Sequence, residues 1–112
     1  MSARSQALLW VAQRASAAVL ALCVVVHLIT IIYAVRNGLS AAEILGRTRS
    51  NSGWFAFYAL FVAAVAVHAP IGMRTIVSET LGWRGTALDL LALMFGVALA
   101  WGGMRAIWGL FG

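Results

Sequence analysis

Residues 15–35 read ASAAVLALCVVVHLITIIYAV, an apolar run interrupted only by Ser16, His27 and Thr30. Roughly 20 mostly apolar residues in a helix cross the hydrocarbon of a bilayer, so this stretch by itself predicts a transmembrane helix. Helix is the required form, because lipid offers the backbone N–H and C=O groups no partners. The run is longer than the apolar region of a usual signal peptide, and no small-residue cleavage pattern precedes Arg36-Asn37-Gly38. It is therefore expected to stay in the mature chain.

Two further apolar runs follow, and the spans are expected at about 12–35, 54–73 and 88–108 of a single 112-residue membrane domain. Three crossings put the two termini on opposite sides of the membrane. The expected fold class is all-α, an integral membrane protein of three transmembrane helices contributing to a larger bundle. Composition agrees: 63% of residues are hydrophobic and 10% charged, with a mean hydropathy of +0.96, which excludes a water-soluble domain.

All eight basic residues are arginines and the net charge is +5. Arg4, Arg14, Arg74 and Arg84 fall on one side of the membrane, and Arg36, Arg47, Arg49 and Arg105 on the other. That even split gives the positive-inside rule nothing to orient. No basic run suggests a nucleic-acid partner. The lone Cys23 lies within the first span and reads as a small buried apolar residue. No acidic pair, thiol motif or Ser/His/Asp set argues for hydrolytic or nucleophilic catalysis.

The first connection, residues 36–53, contains Ser40 followed three residues later by Glu43, a capping-box spacing that predicts a short helix. The second, residues 74–87, is short, so spans two and three are expected as antiparallel neighbours. Trp10, Trp54, Trp83 and Trp108 fall near span ends, where indole favours the interface. Ala92, Gly96 and Ala100 recur every four residues and predict a close helix–helix contact. Pro70 removes a donor and frees the Ala66 carbonyl. The resulting bend either opens room beside His68 or serves packing. Asp89 is expected at the start of span three, where a carboxylate suits the helix N-terminus.

Both histidines of the chain, His27 and His68, sit inside spans. An imidazole in hydrocarbon is costly to desolvate and needs a partner, so each is a candidate site. The partner is either a group on a neighbouring helix or a metal, with haem iron the leading candidate. At a rise of about 1.5 Å per residue, His27 lies about 20 Å along its helix from Arg14, and His68 about 9 Å from Arg74. Different depths argue against one haem bridging both imidazoles, since an iron needs both nitrogens within about 2 Å on opposite faces of one plane.

The stretch His68-Ala69-Pro70-Ile71-Gly72-Met73-Arg74, with Glu79 five residues beyond, resembles the second-helix pattern of the cytochrome b membrane-anchor subunits of succinate dehydrogenase and fumarate reductase. Gln13-Arg14-Ala15-Ser16 is similar to their first-helix pattern of His-Arg, any residue, then Ser or Thr. The resemblance implies that His68 is an axial ligand of haem b iron, the second ligand coming from a second membrane-anchor subunit. It implies that Gly72 leaves space near the cofactor and that Arg74 pairs with a haem propionate. Arg14 and Ser16 would open onto a site for ubiquinone or menaquinone, near the iron–sulfur subunit.

His27 has a counterpart only in the two-haem members, where it would bind a second haem iron. Succinate oxidation would take place at a flavoprotein subunit, this chain being non-catalytic alone and the complex lying in a bacterial inner membrane with the N-terminus cytoplasmic. Departures are visible too. Gln13 and Trp10 stand where members often have histidine and serine, Glu79 replaces an aspartate, and Thr80 a tyrosine. A different class fits three short spans with small-residue stripes as well: a haem-free transporter subunit or assembly factor.

Overall fold

The computed structural model describes residues 2–111 and is all-helical over them, with α1 Ala3–Arg36, α2 Ala41–Thr48, α3 Ser52–Leu81 and α4 Thr86–Phe111. Three of these helices, α1, α3 and α4, are long and apolar enough to cross a membrane. Each outruns the apolar stretch that predicted it. The expected second connection accordingly shrinks, because α3 continues through Arg74 and Glu79 to Leu81 and stops at Gly82. Gly82 takes φ 70°, a left-handed conformation natural to glycine, and its N–H donates to the Ser78 carbonyl.

Polar side chains set the helix ends. The Ser2 hydroxyl accepts from the Ser5 N–H at the start of α1, and Asn51 accepts from the Gly53 and Trp54 N–H groups at the start of α3. Ser40 and Glu43 form the expected capping box of α2. The short helix is tied back to α1 by Arg47, whose Nη1 donates to the Tyr33 hydroxyl at 3.2 Å. Thr48 is buried at its end.

Helix α3 is central. It packs against α1 on one side and α4 on the other, while α1 and α4 share almost no direct contact. The α4 side of α3 is a stripe at every fourth position, namely Val62, Ala66, Pro70 and Arg74. Gly103 meets Val62 so closely that a Cβ there would overlap its side chain. Gly96 meets Pro70 and Ala66: a Cβ on it would lie 3.1 Å from Pro70 Cγ and 3.2 Å from the Ala66 carbonyl oxygen. Proline leaves that carbonyl without its intrahelical donor, and a glycine Cα can approach it closely, as small residues do between membrane helices. Pro70 is buried there, packed against Gly96. The contact closes at the loop end, where Leu88 is 1% exposed and Ala92 is buried.

The α1 side is built differently. Leu9, Gln13, Ser16, Leu20, Cys23 and His27 alternate spacings of four and three, the period of a left-handed helix seam. Ser16 and Cys23 are its buried members. Gln13 meets Gly72 and His27 meets Tyr58 and Phe61, which fixes an antiparallel register. The outward faces carry Val24, Ile29, Leu93, Val97 and Trp108, all strongly exposed, as suits lipid or partner helices.

Candidate functional site

Three buried side-chain atoms among the described residues have no hydrogen-bond partner: Gln13 Oε1, His27 Nδ1 and His68 Nδ1. All three belong to residues on the facing sides of α1 and α3. A buried polar group left unpaired costs on the order of 1–3 kcal/mol, and most such groups in native proteins are satisfied. Their concentration in one seam makes it the candidate site.

His68 is half-buried on the α1-facing side of α3. Ala64, one turn earlier, is buried against the seam. Gly72, one turn later, lies against Gln13, whose Nε2 would be 3.3 Å from a Cβ at that position. The long, unbranched glutamine side chain therefore reaches across to the very residue whose missing side chain was expected to leave room. The imidazole itself makes no hydrogen bond within the chain, so its ring nitrogens remain available to an outside partner.

His27 sits toward the other end of the seam. Its ring is met edge-on by Tyr58 at 5.9 Å and Phe61 at 5.7 Å between centroids, in the geometry aromatic rings prefer. Trp54, Phe57 and Phe111 extend this aromatic cluster. Tyr58 and Phe61 precede His68 by ten and seven residues, which at about 1.5 Å per residue separates the two imidazoles by roughly 10–15 Å along α3. The depths differ as expected, with His68 nearer the end that carries Arg14 and Arg74.

The two ends also carry separate clefts. One, of about 510 Å³, is lined by His27, Tyr58, Phe61, Val65, Leu99 and Ile107. The other, of about 610 Å³, lies between the start of α1 and the α3–α4 pair and includes Leu9, Val67, Ile71, Arg74, Asp89 and Leu93. Both are almost wholly apolar.

The arginines and Ser16 are placed less uniformly. Arg74 Nε donates to Asp89 Oδ1 at 2.5 Å, joining α3 to α4. Arg14 is exposed, with its guanidinium over the Trp10 ring at 5.3 Å. This is a cation–π contact that anchors it at the surface. Ser16 is buried and its hydroxyl donates to the Gln13 carbonyl at 3.1 Å. The structure brings His27, His68, Gly72 and Ser16, which the sequence assigned to separate sites, onto one α1–α3 seam and adds Gln13 as its polar member. The signal was there in the seven-residue interval linking Gln13, Leu20 and His27.

No group of three or more His, Cys, Asp or Glu side chains among the described residues could hold a metal ion. The donors on offer are single imidazoles. Such a set fits a metal that brings most of its own ligands, as haem iron does, and asks each chain for one axial nitrogen.

A protein-family model for the succinate dehydrogenase/fumarate reductase transmembrane subunit matches residues 1–106. No curated protein and no solved structure matches the chain. The chain belongs to this family of transmembrane subunits and is a multi-pass membrane protein.

Proposed function

We infer that this member of the succinate dehydrogenase/fumarate reductase transmembrane-subunit family is a cytochrome b anchor, with His68 the axial ligand of a haem b completed by a second membrane subunit. The observation that carries the reading is the imidazole of His68, inside a membrane helix with its buried Nδ1 unpaired. Ligation through the other ring nitrogen would raise the acidity of Nδ1–H and favour a carbonyl or water partner for it. The haem, when bound, supplies a one-electron station beside the quinone.

The chain's own residues do the rest. Helix α3 fixes the imidazole at its depth, Gly72 keeps the adjoining turn free of a side chain, and the seam excludes water. Arg74 offers a charge-assisted fork to a propionate, since Nε alone is engaged by Asp89. At the start of α1, Arg14, Ser16 and Gln13 supply donors and an acceptor for a quinone ring. A hydroxyl or amide N–H held toward its carbonyl stabilises the negative charge that accompanies reduction. Ser16 would exchange its present bond to the Gln13 carbonyl for one to the quinone. Quinone is ubiquinone or menaquinone. Electrons arrive from an iron–sulfur subunit, itself fed by a flavoprotein subunit where succinate is oxidised. The complex sits in a bacterial inner membrane with Arg14 on the cytoplasmic side.

His27 supports a second haem nearer the opposite face. Its Nδ1 is unpaired in the same way as that of His68, and it lies too far along the seam to share one iron. Pyridine haemochrome quantification of the intact complex decides between one and two.

The test is spectroscopic. Membranes containing the complex with its partner subunits should show a dithionite-reduced minus oxidised b-type spectrum. His68→Ala should remove the proximal haem band while the subunits still co-purify. An unchanged spectrum in that variant rules out His68 as the ligand, and a colourless wild-type complex returns the chain to the haem-free class.

A further inference from the structure

Arg74 and Asp89 are the only ion pair among the described residues. The pair links the last third of α3 to the first turn of α4. It is poorly placed to be a stability device: the side chains are 30% and 47% exposed, and exposed pairs contribute little. The contact beneath it is already held by Leu88, Ala92, Gly96 and Gly103. An explanation is needed for why a carboxylate is held at this point by the best-packed turn of α4.

The geometry points to Asp89 as a positioning residue for Arg74, holding its guanidinium plane through Nε so that the Nη edge is presented to a carboxylate of the bound haem. Three observations carry this. First, the backbone that carries Asp89 is fixed: its neighbour Leu88 is 1% exposed and Ala92, one turn on, is buried. Its backbone N–H donates to the Gly85 carbonyl at 3.1 Å, closing the first helical turn. Second, the bond uses Nε of Arg74 and one carboxylate oxygen. A guanidinium is a rigid planar fork, so one fixed nitrogen aligns the other two as a pair that matches a second carboxylate or a carbonyl. Third, Arg74 and Asp89 supply the charge in a cleft of about 610 Å³ whose remaining lining is apolar except for Ser5. A long cationic side chain there without a fixed partner would turn toward water.

This inference rests on the reading of Arg74 as the partner of a haem propionate, and the experiment separates the two. The midpoint potential of the haem nearest Arg74 is measured by redox titration of the intact complex in four forms: wild type, Arg74→Gln, Asp89→Asn and the double variant. Positioning through Arg74 predicts that each single substitution shifts the potential. It further predicts that Asp89→Asn produces no additional shift once Arg74 is glutamine, the non-additivity of two residues acting as one unit.

Equal shifts from Asp89→Asn in both backgrounds would show that its charge acts directly and would overturn the proposal while leaving Arg74 in place. No shift from Asp89→Asn alone would do the same. No shift from Arg74→Gln would remove the role of Arg74 itself, and the proposal with it. The exchanged variant Arg74→Asp with Asp89→Arg guards against a purely structural role: it should re-form the interhelical pair with thermal stability near wild type but not the wild-type potential. Recovery of both would reduce the pair to a clamp.

Discussion

On one side of α3, Val62, Ala66, Pro70 and Arg74 meet α4 through close approaches of Gly103 and Gly96 and through the Arg74–Asp89 ion pair. On the other side, the face bearing Phe61, His68 and Gly72 meets α1 across the three orphaned atoms of the described chain. Both contacts use small residues and similar spacing, so the difference lies in polar bookkeeping. No unpaired buried side-chain atom of the described residues falls in the α4 contact, which serves as scaffold. The α1 contact holds the three unpaired side-chain atoms and both histidines.

That contrast can be broken experimentally. The largest effect is expected from Gly103→Leu, because even a Cβ at this position overlaps the Val62 side chain. Forcing α3 and α4 apart should cost about 1–3 kcal/mol, the usual range for overpacking. The effect reads out as a lower unfolding temperature of the detergent-solubilised complex. A wild-type Tm in this variant would show that the scaffold contact is loose.

A smaller and opposite effect is expected from Gln13→Leu. Removing an unpaired buried acceptor should leave stability unchanged or raise it by about 1 kcal/mol, while quinone reductase activity falls several-fold. Loss of stability instead would mean that the carboxamide is already satisfied, and the asymmetry between the two faces would disappear. The smallest effect belongs to Ser16→Ala. Its hydroxyl bonds only its own helix, so stability should change by less than about 0.5 kcal/mol. A rise in quinone KM against that flat background would sharpen the assignment of the start of α1.

Much of the scaffold was legible before any coordinates. Apolar length gave the three crossings, Ser40 and Glu43 gave α2 and its capping box, and Ala92 with Gly96 marked the α4 contact. The ends of α3 and α4 were harder. Arg74 and Glu79 look like a connecting segment by hydropathy, yet the helix carries on past the apolar run to a glycine stop. The site was legible only in its types. His27 and His68 stood out because imidazole is rare in lipid, but Gln13 was read as a departure from a pattern and not as a member of the seam.

The Arg74–Asp89 pair was invisible for a related reason. Its partners are fifteen residues apart on different helices, so their meeting depends on interhelical register. In water that register is advertised by one apolar face per helix. Here the outward faces are as apolar as the inward ones, and α1, α3 and α4 show little amphipathicity. Direction has to be inferred from small and polar residues instead.

Because α1 and α4 hardly touch, this polypeptide seals neither cleft along its flank. A lipophilic guest in either cleft would, where no partner helix covers it, exchange sideways with the acyl chains. Its occupancy answers to the mole fraction dissolved in the surrounding lipid rather than to any aqueous concentration. Titrations of such a guest should collapse onto one curve when plotted per lipid, and scatter when plotted per litre.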